Sequence, residues 1–132
     1  MPYLLDTNIV SDLVQHPQGR VAARIAQIGD DKVATSIIVA CEMRYGAARK
    51  NSPRLFAQLE TILGALEIVP LKSPTDHHYG ELRAHLEMVG RPIRATDMLI
   101  AAHALAIDYT LVTDNVRKFS RIKGLRVENW LR

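Results

Sequence analysis

Short apolar runs alternate with helical stretches along the whole chain, and this alternation limits the fold more than any other feature. The runs are YLL, KVATS, EIVPL, TLVTD and LRVENW. Between the first two, residues 9–14 carry helical spacing that His16-Pro17 stops, and residues 18–28 stack Val21, Arg24, Ile25 and Ile28 on one side. Ser36 is placed to cap a third helix bearing Ile37, Ile38, Cys41, Glu42 and Tyr45, which ends by Asn51. Ser52-Pro53 supplies an N-cap and a first-turn proline for a fourth helix that Gly64 closes. Ser73-Pro74 repeats the device for a helix running to Gly90, with Tyr79, Leu82, Leu86 and Val89 on one side. DMLIAAHALAI is apolar nearly all round, so it must be a helix buried on most sides, and residues 116–119 read as a short helical turn. Strands alternating with helices predict βα units, a parallel sheet of roughly five strands, and helices on both of its faces.

The chain has 132 residues, enough for one core and too few for two, so residues 1–132 read as a single α/β domain. No apolar run approaches the roughly 20 residues of a membrane span. The N-terminus lacks a signal-peptide pattern, and the lone Cys41 can build neither an internal disulfide nor a thiolate metal cage. A cytoplasmic protein without a membrane partner is therefore expected. The net charge is +3, and the last sixteen residues hold Arg117, Lys118, Arg121, Lys123, Arg126 and Arg132 against the single acid Glu128. That tail reads equally well as a solvated face or as a nucleic-acid footprint.

The chemistry lies in where the acids fall. In an open parallel sheet, ligands bind beyond the carboxyl ends of the strands, where the strand order reverses. YLLD and TLVTD each end on an acid there, Asp6 and Asp114, and these become neighbours if the first and fourth strands flank the switch point. Asp97 stands in the first turn of the buried helix, and Glu42 lies on the apolar stripe assigned to the third. Taken singly, Asp6, Asp97 and Asp114 read as turn or first-turn acids. Glu42 is harder to explain so, because a carboxylate on a core-facing stripe costs several kcal/mol unless paired or bound to a cation. Four acids at one sheet edge would repel one another, and no run of lysines in their motifs offsets that, so a divalent cation is expected. Oxygen-only ligands favour Mg²⁺ or Mn²⁺ over Zn²⁺.

Competing motifs are absent: the sequence has no G-x-S-x-G elbow, no phosphate-loop pattern and no dinucleotide fingerprint. His77 and His78 point to two sides of one helix, His103 reads as a satisfied histidine beside the core, and Trp130 and Phe119 read as packing anchors. A receiver-like signalling domain would need an acidic pair after the first strand and a lysine after the last, and neither is present. A metal-binding scaffold that works only through a partner remains a second alternative.

Four segments, LLDTN, ACEMRYGA, GRPIRATDMLIAAHA and VTDNVRKF, occur in order along almost the whole chain. As a set the sequence resembles the PIN-domain ribonucleases, specifically the VapC toxins of bacterial toxin–antitoxin pairs. The resemblance implies a three-layer α/β/α sandwich and a Mg²⁺-dependent endoribonuclease, with Mn²⁺ able to substitute. By it, Asp6, Glu42, Asp97 and Asp114 form the catalytic acidic cluster, with Asp6, Asp97 and Asp114 as metal ligands. Thr7, Asn8, Thr113 and Asn115 are then the polar residues that orient them. The family usually shows glycine where this chain has Arg94, and arginine cannot use a glycine-only backbone conformation cheaply. Arg94, Arg117 and Lys118 become candidate contacts to RNA phosphates. The resemblance further implies hydrolysis to a 3′-hydroxyl and a 5′-phosphate, initiator tRNA cut in its anticodon loop as substrate, and a VapB-type antitoxin as partner. It also implies a homodimer and admits a hetero-octamer with the antitoxin.

Overall fold

A computed structural model describes residues 2–132. The elements follow the order β1 (Tyr3–Leu5), α1 (Thr7–Gln15), α2 (Arg20–Ile28), β2 (Val33–Ser36), α3 (Ile37–Lys50), α4 (Pro53–Ala65) and β3 (Glu67–Val69). The second half continues with α5 (Thr75–Met88), α6 (Ala95–Ile107), β4 (Thr110–Val112), α7 (Val116–Phe119) and β5 (Val127–Glu128). The five strands form one sheet in the order β3-β2-β1-β4-β5, and every pairing is parallel. The chain therefore builds outward from β1 to β2 and β3, then returns to lay β4 against the other side of β1. Right-handed crossovers put helices from the two halves on opposite faces. The helix α1 packs against α2, α3 and α4, α5 packs along α6, and α3 also meets α6. Among the described residues no helix is long and apolar enough to cross a membrane.

Local sequence explains most boundaries. Asp6 accepts the Thr7 N–H at the start of α1, Ser36 accepts the Ile38 N–H at the start of α3, and Ser52 accepts the Leu55 N–H ahead of Pro53 in α4. Three boundaries differ from expectation. Gly64 lies inside α4, which ends when Leu66 turns extended to enter β3. Pro74 rather than Ser73 takes the N-cap of α5, and the Thr75 N–H donates to the Lys72 carbonyl. The helix α5 stops at Met88, and Gly90 takes φ +72, a conformation that glycine adopts without cost.

The helix α6 justifies its composition: Met98, Ile100, Ala101, Ala102, His103 and Ala104 are all buried, the alanines allowing close approach of neighbouring elements. On α3 the buried residues are Val39, Ala40 and Ala47, so Cys41 and Tyr45 face solvent. Glu42 consequently sits at a rim and not on a core stripe. Tyr3 packs edge-on against Trp130, and Phe119 is fully enclosed, so both aromatics near the C-terminus anchor that segment to the core.

Leu4 and Ile100 are completely buried, in the central strand and the central helix. Truncating either to alanine is expected to cost about 3 kcal/mol of unfolding free energy in urea titrations. Met88→Ala, at a residue 78% exposed, is expected to stay within about 0.5 kcal/mol. Equal effects at the three positions would contradict this core.

Candidate active site

The parallel pairing of β1 with β4 brings the ends of both strands together, and the Asp6 N–H donates to the Val112 carbonyl at 2.9 Å. Three consecutive residues leaving β1 then each engage a different part of the site. The Asp6 carboxylate accepts the Thr113 hydroxyl at 2.7 Å and the Thr7 N–H at 2.8 Å. The Thr7 hydroxyl donates to Glu42 Oε1 at 2.6 Å. Asn8 Nδ2 donates to Asp114 Oδ1 at 3.0 Å. Asn115 steadies the far side: its N–H donates to the Thr113 hydroxyl, and its side chain caps α7 by accepting the Lys118 N–H.

Asp6, Glu42 and Asp114 are thus held at the carboxyl edge of the sheet by the predicted Thr and Asn side chains, while Asp97, at the start of α6, is held by Arg94 and Lys118. Their exposures differ. Asp6 and Asp97 are buried at 6% and 4%, Glu42 is half-buried, and Asp114 is exposed. Burial pushes the Asp6 carboxyl above its ordinary pKa; hydrogen bonds from Thr113 and Thr7 oppose that shift, the neighbouring Asp97 charge adds to it, and Lys118 counters it. The Asp97 contribution means that the two buried carboxylates sense each other directly.

Sequence reasoning missed how the cluster is balanced. Asp97 Oδ2 accepts both Lys118 Nζ at 2.7 Å and Arg94 Nε at 3.2 Å, and a second arm of Arg94 reaches Glu42 Oε2 at 3.4 Å. Cations therefore come from the chain itself, although neither was assigned to the acids from sequence. Arg94 was legible in principle, since it stands three residues before Asp97. Arg94 also needs no glycine conformation: at φ −60 and ψ 147 it forms the extended N-cap of α6. With these cations in place, no three His, Cys, Asp or Glu side chains among the described residues converge as a ready metal cage. The donor set still suits a hard divalent cation, because it offers only oxygen and already draws positive charge into a partly desolvated site.

Beside the acids lies an open pocket of about 570 Å³ lined by Arg94, Asn115, Arg117, Lys118 and Arg121 with Pro92 and Ile93. Arg117 and Arg121 form no ion pair among the described residues. Of the polar lining residues, Arg121 alone was not singled out from sequence as a site residue or phosphate contact. Behind the site, His103 is fully buried with Nδ1 2.8 Å from the Ser36 hydroxyl, tying α6 to the N-cap of α3, and burial keeps its pKa low.

A raised Asp6 pKa has a defined consequence for stability. Stability carried by protonated Asp6 is fully present below its ordinary value of 3.8 and is lost as pH rises through the higher folded value. Asp6→Asn in metal-free protein should therefore be more stable than the parent at pH 7, the gap closing as pH falls toward 4. Urea unfolding in EDTA at both pH values checks this, and a parent at least as stable as the variant at pH 7 would contradict it.

Comparison with known proteins gives the site a family. The chain matches the PIN domain over residues 3–125. It is 39% identical to Ribonuclease VapC2 of Rickettsia felis, the match covering 98% of each chain. It is 31% identical to the tRNA(fMet)-specific endonuclease VapC of Shigella flexneri, again over 98% of each. The fold superposes on the crystal structure of VapBC2 from Rickettsia felis bound to a promoter DNA fragment with a TM-score of 0.91 at 35% identity, covering 98% of this chain and 99% of that one. PIN-domain nucleases work with divalent metal ions. With a match of this extent in sequence and in fold, the chain belongs to the VapC group of PIN-domain ribonucleases.

Proposed function

We propose that this protein is the toxin of a VapBC-type pair, a Mg²⁺-dependent endoribonuclease that hydrolyses a tRNA, with the anticodon loop of initiator tRNA as target. The observation that carries the reading is the pairing of an acidic centre with a basic pocket at one sheet edge. Asp6 and Asp97 are the buried carboxylates, and Arg117, Lys118 and Arg121 border the space beside them. A polyanion placed there meets cations along its backbone and carboxylates at one phosphate. Loop RNA suits such an open site because its unpaired strand can be drawn in without melting a helix.

Asp6, Asp97 and Asp114 would hold the metal. A bound divalent ion would supply Lewis acidity at the phosphate and bring the pKa of a water into a reactive range. The chain does the rest. Thr113 and Thr7 fix the Asp6 carboxylate by hydrogen bonds to both of its oxygens. Thr7 also orients Glu42, and Asn8 orients Asp114. Glu42 and Asp114 are the more exposed acids, and a carboxylate on the open side can accept the proton that the attacking water releases. Lys118 and Arg117 hold the phosphodiester in the pocket.

The choice of initiator tRNA follows the Shigella flexneri and Salmonella typhimurium relatives, which are named tRNA(fMet)-specific endonucleases. The antitoxin partner follows solved relatives that are VapBC and FitAB complexes. A homodimer of the toxin, and a hetero-octamer with antitoxin, accord with the same assignment.

Purified protein should cut tRNA in Mg²⁺ or Mn²⁺ and not in EDTA. Asp97→Asn should lower the rate at least about a hundredfold, since it removes ligand charge from a metal-assisted step, while circular dichroism stays unchanged. Asp114→Asn should lose far less, because the exposed Asp114 carboxylate can be replaced by an amide oxygen or a water. Mg²⁺-dependent cleavage retained by Asp97→Asn would overturn the assignment.

A further inference from the structure

Arg94 is the one cation among the described residues whose side chain reaches two site carboxylates from different elements. Its guanidinium bridges Asp97 at the start of α6 and Glu42 on α3. The backbone does not force this position, since φ and ψ are those of ordinary extended chain. The side chain is 68% exposed, against 25% for Lys118, which also lies over the Phe119 ring at 5.6 Å. Lys118 is thus held by its Asp97 pair and by packing, whereas the more exposed Arg94 is held through its two carboxylates. Arg94 also lines the pocket that contains Arg117 and Arg121. It therefore stands on the border between the acidic centre and open basic space.

An exposed guanidinium spanning two carboxylates at 3.2 and 3.4 Å is favourable but weakly held, because water competes for both partners. A divalent ion brings twice the charge and no tether, and it seeks the Asp97 carboxylate that Arg94 holds. Guanidinium and ion cannot both neutralise Asp97 at full strength. We propose that Arg94 sets the metal affinity of this site as a tethered counter-cation, bridging Glu42 and Asp97 without the ion and yielding Asp97 when a divalent ion binds. The inference rests on the reading of the site as a metal-dependent nuclease centre. Its consequence is a site that tolerates being empty, since carboxylate repulsion is offset from within, and that fills only at a higher ion concentration than the same acids would otherwise need.

Calorimetric titration of EDTA-stripped, dialysed protein with MnCl₂ tests this without reference to activity. Arg94→Ala should bind Mn²⁺ about three- to tenfold more tightly than the parent, the range expected from removing one or two exposed ion pairs. Arg94→Lys keeps the charge and should stay nearer the parent. Arg117→Ala removes a charge from the same pocket that touches no carboxylate, and at about 0.15 M salt its longer-range effect is screened, so its affinity should stay within about twofold. Equal affinity of Arg94→Ala and the parent overturns the proposal while leaving the nuclease reading intact, as does an Arg117→Ala variant that gains as much as Arg94→Ala. No Mn²⁺ binding by the parent or by Arg94→Ala overturns both the proposal and the metal-dependent reading beneath it.

Discussion

The site depends on a carboxylate buried at the end of the central strand. Asp6 is 6% exposed at the point where β1 meets β4, and a buried acid there is tolerated only with donors on its oxygens. Thr113 and Thr7 provide them. The Thr113 hydroxyl reaches Asp6 because β4 lies directly beside β1. The need for donors explains why polar residues follow the apolar run without a gap. Thr7 and Asn8 carry the same arrangement outward to Glu42 and Asp114, so one short segment orients three of the four acids.

Electrostatics then decides the character of the remaining surface. Carboxylates drawn together at a sheet edge need positive charge, and in the metal-free chain Lys118 and Arg94 supply it. The same two residues open onto the basic pocket, so the balance within the acidic centre and the attraction for a polyanion come from shared side chains. Changes at Lys118 or Arg94 will therefore alter both at once, whereas Arg117 and Arg121 stand outside the acidic network.

The βα alternation, the five strands and the buried character of α6 were legible because each rests on local periodicity and capping that tertiary packing did not override. The placement of Asp6, Asp97 and Asp114 was legible for a topological reason: strand ends and a helix first turn in a parallel sheet converge on one edge. Glu42 was found for the wrong physical reason. It was placed on a core-facing stripe, yet α3 buries Val39, Ala40 and Ala47, and Glu42 lies on the rim where Thr7 reaches it. Helical spacing identifies a face without saying which neighbour covers it. Lys118 escaped assignment to Asp97 because pairing across elements leaves no mark in sequence spacing, whereas the Arg94–Asp97 pair, three residues apart, was open to reading from the sequence.

The central claim is that carboxylates at this edge support hydrolysis of RNA by water, and the ends of the cleaved RNA report on it most directly. Mass spectrometry of tRNA fragments produced in Mg²⁺ and ¹⁸O-labelled water should find a 5′-phosphate carrying one solvent oxygen and an unmodified 3′-hydroxyl. Fragments ending in a 2′,3′-cyclic phosphate and a 5′-hydroxyl, formed equally well in EDTA, would show attack by the RNA's own 2′-hydroxyl and contradict the account.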